Sequence, residues 1–239
     1  SGVSAIARLL EAKGVIRRAD VFAFATRINK SAKNLKAGEF DIPAGVSAKA
    51  VMHILVRGET VVRKLTIAEG LLTPQALELV MSAEGLTGDI DFSGGVDLPE
   101  GDLLPETWHY KWGDSRNDLV ARMRAGQQKI LAQEWAGREP DLPFSTMDEA
   151  LVLASIVEKE TGLAAERNHV AGVFVNRLRR GMRLQSDPTV AYGLSPDVPL
   201  DRALSRADLR TDHPWNTYVR SGLPPSPICL PGRASLKAV

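Results

Sequence analysis

The sequence predicts an α+β protein in which a small front module, residues 1–60, precedes a larger mixed α/β domain, residues 61–239. Three observations carry this prediction. Apolar residues recur at helical spacing over six segments, and two short stretches have the alternation or β-branching of strands. A Gly/Asp/Pro-rich connection at 83–118 then separates the early elements from a helix that is apolar almost all the way round. The length permits a sizeable core, and 44% hydrophobic with 25% charged residues excludes disorder. Thirty basic against 29 acidic residues leave a net charge of +1, which removes any global electrostatic case for nucleic acid.

In chain order, residues 4–13 place Ala5, Ile6, Leu9 and Leu10 on one helical face, with Ser4 as N-cap and Gly14 as stop. A second amphipathic segment, 20–29, has Val21, Phe22, Phe24, Ala25 and Ile28 on its apolar side. Residues 38–43 alternate as a strand closed by Pro43. A third helix begins at the Ser47 cap and carries Val51, Met52, Ile54 and Leu55, and a β-branched strand follows at 61–67. Residues 83–118 read as a long irregular connection, of the kind that is more often functional than idle. Helical pattern resumes at 118–135. Thr146 and Glu149 then fit a capping box ahead of Ala150, Leu151, Val152, Leu153, Ala154, Ile156 and Val157, the signature of a buried helix. A further helix spans 165–180, with Val170, Val173, Phe174 and Leu178 as its stripe, and the remainder from Met182 onward reads as loop-rich. No run of about 18 apolar residues occurs, so nothing in this chain reads as a bilayer span. The first residues lack a signal-peptide pattern.

The strongest anomaly is the pair of carboxylates that ends the apolar helix. On a helical wheel Glu160 lies between Leu153 and Ile156, where apolar neighbours would disfavour its charged form and suit it to general acid work. Glu158 points some 160° away, at about 100° per residue. The competing reading makes either one a structural ion paired with Lys159, Arg167 or Arg177. A second cluster, Gln185, Ser186, Asp187, Thr189 and Tyr192, offers an amide, a carboxylate, two hydroxyls and a phenol, groups that suit a hydroxyl-rich ligand such as a glycan. Its alternative is an Asp-Pro turn with a satisfied tyrosine. Asn216, Thr217 and Tyr218 with Gly222-Leu223-Pro224-Pro225 form a third cluster. Trp108, Trp112 and Trp215 are either sugar-stacking platforms or packing residues.

Other chemistries find no footing in the sequence. Cys229 has no second thiol, and His53, His109, His169 and His213 show no ligand spacing, so no metal site and no cofactor are expected. Neither a Gly-X-Ser-X-Gly elbow nor a phosphate-binding glycine loop occurs. The local run Arg177, Arg179, Arg180 and Arg183 reads as a solvated helix end beside the negative pole of the dipole, not as a nucleic-acid stripe.

Six stretches together resemble a known family. They are Leu65-Thr66-Ile67-Ala68-Glu69-Gly70; Pro99 through Trp108; Ala154 through Thr161 with Glu166-Arg167; Val173 through Leu178; Gly181 through Thr189 with Tyr192-Gly193; and Asn216-Thr217-Tyr218 with Gly222-Leu223-Pro224-Pro225. In this order they are similar to the endolytic murein transglycosylases, the MltG/YceG-like family. The resemblance implies a LysM-like βααβ-type front module at 1–60 and a YceG-like catalytic domain at 61–239, with a C-terminal stretch of the family beyond this chain. It also implies cleavage of the MurNAc-β-1,4-GlcNAc bond of peptidoglycan, leaving 1,6-anhydro-MurNAc ends and helping to terminate strand elongation.

The second glutamate of the family's Glu-Lys-Glu-Thr motif falls on Glu160, which the resemblance makes the catalytic acid and base. Gln185, Asp187, Thr189, Tyr192, Asn216, Tyr218 and Glu69 are the expected substrate-positioning groups, with no metal and no cofactor. The family further implies a single-pass anchor in the bacterial inner membrane, supplied N-terminal to this chain. The catalytic part is then in the periplasm, with glycan strands as substrate and peptidoglycan synthases (penicillin-binding proteins) as partners. Ser186 stands where the family commonly has Thr, and Glu106 where it more often has Asp. A non-catalytic peptidoglycan-binding or scaffold protein of the same fold is the alternative.

Overall fold

The computed structural model describes residues 2–90 and 98–239. Part of the irregular stretch expected at 83–118 thus lies outside the described residues. The chain divides into two compact units, one of residues 1–63 with 109–114, the other of residues 64–108 with 115–239. Residues 109–114, within the stretch expected to be an irregular connection, belong to the first unit.

The first unit holds α1 (Val3–Ala12), α2 (Ala19–Ile28) and α3 (Ala48–Arg57). The Ser47 side chain caps α3 by accepting the Ala50 N–H at 3.2 Å. Gly58 ends α3 at φ +75°, a left-handed position that glycine fills without strain. Its core joins Ala7, Leu10, Ile16, Phe22, Ala23, Val51, Met52 and Leu55.

Two expected faces are corrected. α2 packs by Phe22, Ala23 and Thr26, which leaves Phe24 and Ile28 each 64% exposed, and Leu9 of α1 is 60% exposed. With apolar residues on both sides of these short helices, the wheel could not say which side docks. The strand expected at 38–43 does not form. Glu39 is held there by its carbonyl, which accepts the Val61 N–H, and by its carboxylate, which receives the Arg63 fork at 2.7 and 2.9 Å. The order of elements is therefore helical throughout the first 57 residues, and the βααβ order expected of a LysM-like module is not seen among the described residues.

β1 (Arg63–Thr66) and β2 (Thr107–Tyr110) pair into a two-stranded sheet. In the second unit, α4 (Thr73–Ser82) arises where no helix is expected. Its first turn is capped from afar. The buried Glu100 carboxylate accepts the Thr73 N–H and hydroxyl, at 3.0 and 2.9 Å, while Gln75 accepts the Leu72 N–H. Burial pushes the Glu100 carboxyl above its usual range against those bonds.

α5 (Arg116–Ala136), α6 (Met147–Glu160) and α7 (Arg167–Arg179) follow their sequence patterns. α6 starts at the expected capping box and is the centre of the unit, packing against α5, α7, α8 (Asp187–Leu194) and α9 (Arg233–Ala238). Every residue from Ala150 to Val157 is buried. Each large apolar side chain buried in this way contributes about 1.5–3 kcal/mol.

One polar group is placed inside it with purpose. Ser155 donates to Val152 O at 2.7 Å and accepts the Ile228 N–H at 3.0 Å, while Cys229 Sγ donates to Ser155 O. Gly70 N–H and Leu71 O bond both sides of Leu230 at 2.8 Å. Residues 228–232 are thereby threaded between α6 and the loop after β1. α8 and α9 both lie in the region expected to be loop-rich.

Candidate active site

α6 ends in Glu158-Lys159-Glu160, and its last turn presents these side chains to different surroundings. Glu158 is the enclosed one, its side chain 5% exposed. It accepts from Gly232 N–H at 2.9 Å, Ser235 Oγ at 2.8 Å and Arg167 Nη2 at 3.3 Å. Arg167, itself buried, also approaches Glu69 at 4.0 Å. The Glu69 carboxylate packs against Gly232 so closely that a Cβ there would come within 1.7 Å of it. Burial, then the charge of Glu158, push the Glu69 carboxyl above its usual range, and Arg167 opposes them.

Glu160 is the last residue of α6 and is exposed. The apolar enclosure expected from the wheel is thus absent, and that basis for an acid role is corrected. A helix's final residue has no following turn to cover it, so the flank given by Leu153 and Ile156 ends before the carboxylate. What holds Glu160 instead is a hydrogen bond from Ser186 Oγ at 2.5 Å.

Ser186 is 1% exposed and well fixed. Its N–H donates to Thr217 Oγ1 at 3.0 Å, and its carbonyl accepts the Thr189 hydroxyl at 2.7 Å. The hydroxyls of Thr189 and Thr217 are 2.8 Å apart. Gln185, just before it, sits at φ +54°, which turns the chain into α8. Arg177 Nη1 holds that turn through Arg183 O, Leu184 O and Gln185 Oε1, at 3.0, 3.1 and 3.0 Å. Asp187-Pro188 is not a free turn but the first residues of α8, where proline has no backbone donor to lose. Tyr218 donates to Asp187 Oδ1 at 2.6 Å. That bond, partial burial, and the charges of Asp187 and Glu160 push the Tyr218 phenol up to about 12, with Arg177 opposing.

The sequence candidates therefore separate into groups. Glu160, Gln185, Asp187 and Tyr218 gather with Ser186 around the α6–α8 junction. Thr189 and Asn216 are fully buried. The Asn216 amide donates to the carbonyls of Asp208, Leu209 and Thr211 and accepts the Tyr218 N–H, so it shapes the loop that carries Tyr218. Tyr192 meets Trp215 edge to face at 5.6 Å, and Trp215 Nε1 donates to Ser226 Oγ. Glu69 lies on the Glu158–Arg167 side.

Trp108 donates to Leu104 O and packs on Gly126, while Trp112 lies under the Arg63 guanidinium in the first unit. Sequence reasoning gave Ser186 no role beyond its cluster, and passed over Gly232 and Ser235. The signal for Ser186 was its place directly before Asp-Pro at a helix start. The partnership of Glu158 with residues 74 and 77 positions away had no local signal. Among the described residues no group of His, Cys, Asp and Glu is placed to hold a metal ion, and no helix is long and apolar enough to cross a membrane.

A fixed hydroxyl thus holds one exposed carboxylate at the end of a buried helix. The YceG-like family model matches residues 1–239, and the chain belongs to the YceG-like family. The chain is 28% identical to the endolytic murein transglycosylase of Bacillus subtilis strain 168, spanning all of this chain and 72% of that protein. It is also 28% identical to the endolytic murein transglycosylase of Streptococcus pneumoniae strain D39, of which it spans half. A crystal structure of a YceG-like protein from Listeria monocytogenes superposes with a TM-score of 0.60 at 28% identity, covering all of this chain and 86% of that one.

Proposed function

We propose that this chain is the catalytic part of an endolytic lytic transglycosylase that cleaves the MurNAc-β-1,4-GlcNAc bond of peptidoglycan strands. The observation that carries the reading is the contrast within one helical turn. Glu158 is enclosed by three donors, whereas Glu160 is exposed and aimed by a buried serine hydroxyl. Only the latter can meet a polymer from solvent. Family membership and the activity named for two relatives support the same reading.

In the proposed reaction, protonated Glu160 donates to the glycosidic oxygen as the bond to C1 of the muramic ring breaks. Its carboxylate then takes the proton of that sugar's C6 hydroxyl, whose oxygen bonds to C1 and closes a 1,6-anhydro ring. The proton lost by Glu160 in the first step is regained in the second, so one carboxyl serves as acid and base and no water is consumed. Attack from within the same sugar profits from high effective molarity. Ser186 and Tyr218–Asp187 hold Glu160 and its surroundings in register.

The same reading includes strand termination, a periplasmic location reached through a single inner-membrane anchor, and work beside peptidoglycan synthases. These rest on the family resemblance alone. The test is mass spectrometry of purified glycan strands incubated with the wild type and with Glu160→Gln. Anhydro-muramyl ends from the wild type alone are expected. Reducing ends would mean that water is the nucleophile, and binding without any new ends would make the chain a peptidoglycan-binding scaffold.

A further inference from the structure

A cavity of about 460 Å³ opens beside the carboxylate site and has no part in the proposed bond cleavage. It adjoins that site on two sides. Lys159 precedes Glu160 on α6, Asp187 follows Ser186 at the start of α8, and both line the cavity. Leu72, Ala191, Leu204 and Ile228 are among its apolar walls, and Gln75, Tyr192, Ser195 and Arg202 add polar groups.

The polar groups of the lining are largely engaged already. Arg202 forks onto Asp208 at 2.6 and 3.0 Å, and Asp187 receives the Tyr218 phenol. Ser195 Oγ donates to Val198 O, and Gln75 Oε1 accepts the Leu72 N–H. Lys159 donates one hydrogen bond, to Gly70 O at 3.2 Å, and an ammonium has three protons to give. A sugar ring, with a hydroxyl on nearly every carbon, needs unengaged directional partners, and this lining supplies few. Small apolar side chains that end in a carboxylate fit it better: methyl groups against the leucine and alanine walls, the carboxylate on Lys159.

We infer that this cavity receives the peptide that peptidoglycan carries on its muramic sugar, so that the enzyme reads the peptide side arm while cutting the glycan. The inference rests on the proposed substrate. It makes peptide-bearing strands the preferred substrate and gives Lys159 the role of receiving the peptide carboxylate.

The experiment compares kcat/KM on peptide-bearing strands and on the same strands stripped by an amidase. It does so for the wild type, for Leu204→Trp, which fills the cavity, and for Lys159→Gln. The wild type is expected to favour peptide-bearing strands about tenfold, mostly through KM, and Leu204→Trp to bring that ratio near one. A general loss of folding would lower both rates and leave the ratio unchanged.

In parallel, N-acetylmuramoyl-L-alanyl-D-isoglutamine is titrated into the isotope-labelled wild type. The Ala191 and Leu204 methyl signals are expected to shift, and Lys159→Gln to weaken the binding about fivefold, as loss of one partly exposed ion pair allows. Equal rates on both strands, or a titration that leaves those methyls unmoved, overturns the inference. If the wild type cuts neither strand, the proposed function fails, and the titration alone decides the cavity.

Discussion

The two flanks of α6's last turn use similar chemistry to opposite ends. On the flank facing α9, the Glu158 carboxylate is shut away with the Gly232 N–H, the Ser235 hydroxyl and the Arg167 guanidinium, accepting three hydrogen bonds inside the protein. On the flank facing α8, Glu160 takes one hydroxyl from Ser186 and leaves the rest of its capacity to solvent. A carboxylate satisfied from every side can lock a segment but has nothing left for a substrate. One held at a single point is oriented yet available. Two residues of sequence separate the enclosed carboxylate from the exposed one, and the helix end, by ceasing to bury the second, makes the difference.

The largest effects should split along this line. Glu158→Ala leaves Arg167 buried without its main partner and frees the start of α9, and it is expected to destabilise the protein by about 3–5 kcal/mol in denaturant unfolding. Glu160→Gln should stay within about 0.5 kcal/mol of wild type, as surface changes do. Its glycan cleavage should nevertheless fall by roughly 10³-fold, the range of a lost general acid. Equal stabilities for Glu158→Ala and Glu160→Gln would erase the distinction between the flanks.

Two glycines sharpen the contrast at a smaller scale. A Cβ on Gly193 of α8 would lie 2.1 Å from Cε1 of the His213 ring, whose nitrogens have no hydrogen-bond partner among the described residues and whose burial lowers its pKa. Gly193→Ala must push a whole ring aside and should cost about 1–3 kcal/mol. A Cβ on Gly232 would meet the end of Glu69, a side chain that is 46% exposed and free to swing away. Gly232→Ala should therefore be the milder change in thermal unfolding, and the reverse order would mean that Glu69 is fixed more firmly than its exposure suggests.

Next in size is Ser186→Ala. Loss of its bond should lower kcat about tenfold with KM nearly unchanged, the scale of one hydrogen bond to a charged group. Ser186→Thr keeps the hydroxyl and should restore the rate, which a purely structural role for this position would not require.

How much of this could be seen in the sequence follows from the range of the forces involved. The capping box of α6, its all-round apolar face and the Ser47 cap are local, and all three are where the sequence put them. The anomaly of two acids after an apolar helix was visible too, but the wheel assigned enclosure to Glu160 when Glu158 is the enclosed one. A wheel assumes that the helix continues and that its neighbours are uniform. Here the enclosing groups arrive from residues 167, 232 and 235. α4 was missed because Glu100, 27 residues away, satisfies its first turn. α8 was missed because Asp-Pro reads equally well as a turn or as a helix start. The docking side of α2 was missed because both of its sides are apolar.

The smallest prediction concerns the bond that stiffens the α8 flank. The Tyr218 phenol is pushed up to about 12 from its usual 10.0, chiefly because it donates to Asp187. Above pH 10.0 the unfolded chain releases this proton while the folded chain retains it, so folding stability must fall as pH rises through this window. Below the window the contribution is fully present. Unfolding curves across it should show wild type losing stability more steeply than Tyr218→Phe, which has no such proton to lose. Parallel slopes would mean that the Tyr218–Asp187 bond does not persist in solution. The α8 flank would then rest on Ser186 with its two threonines and on the Arg177 bonds to the Gln185 turn, and the exposed side of the comparison would be looser than the distances imply.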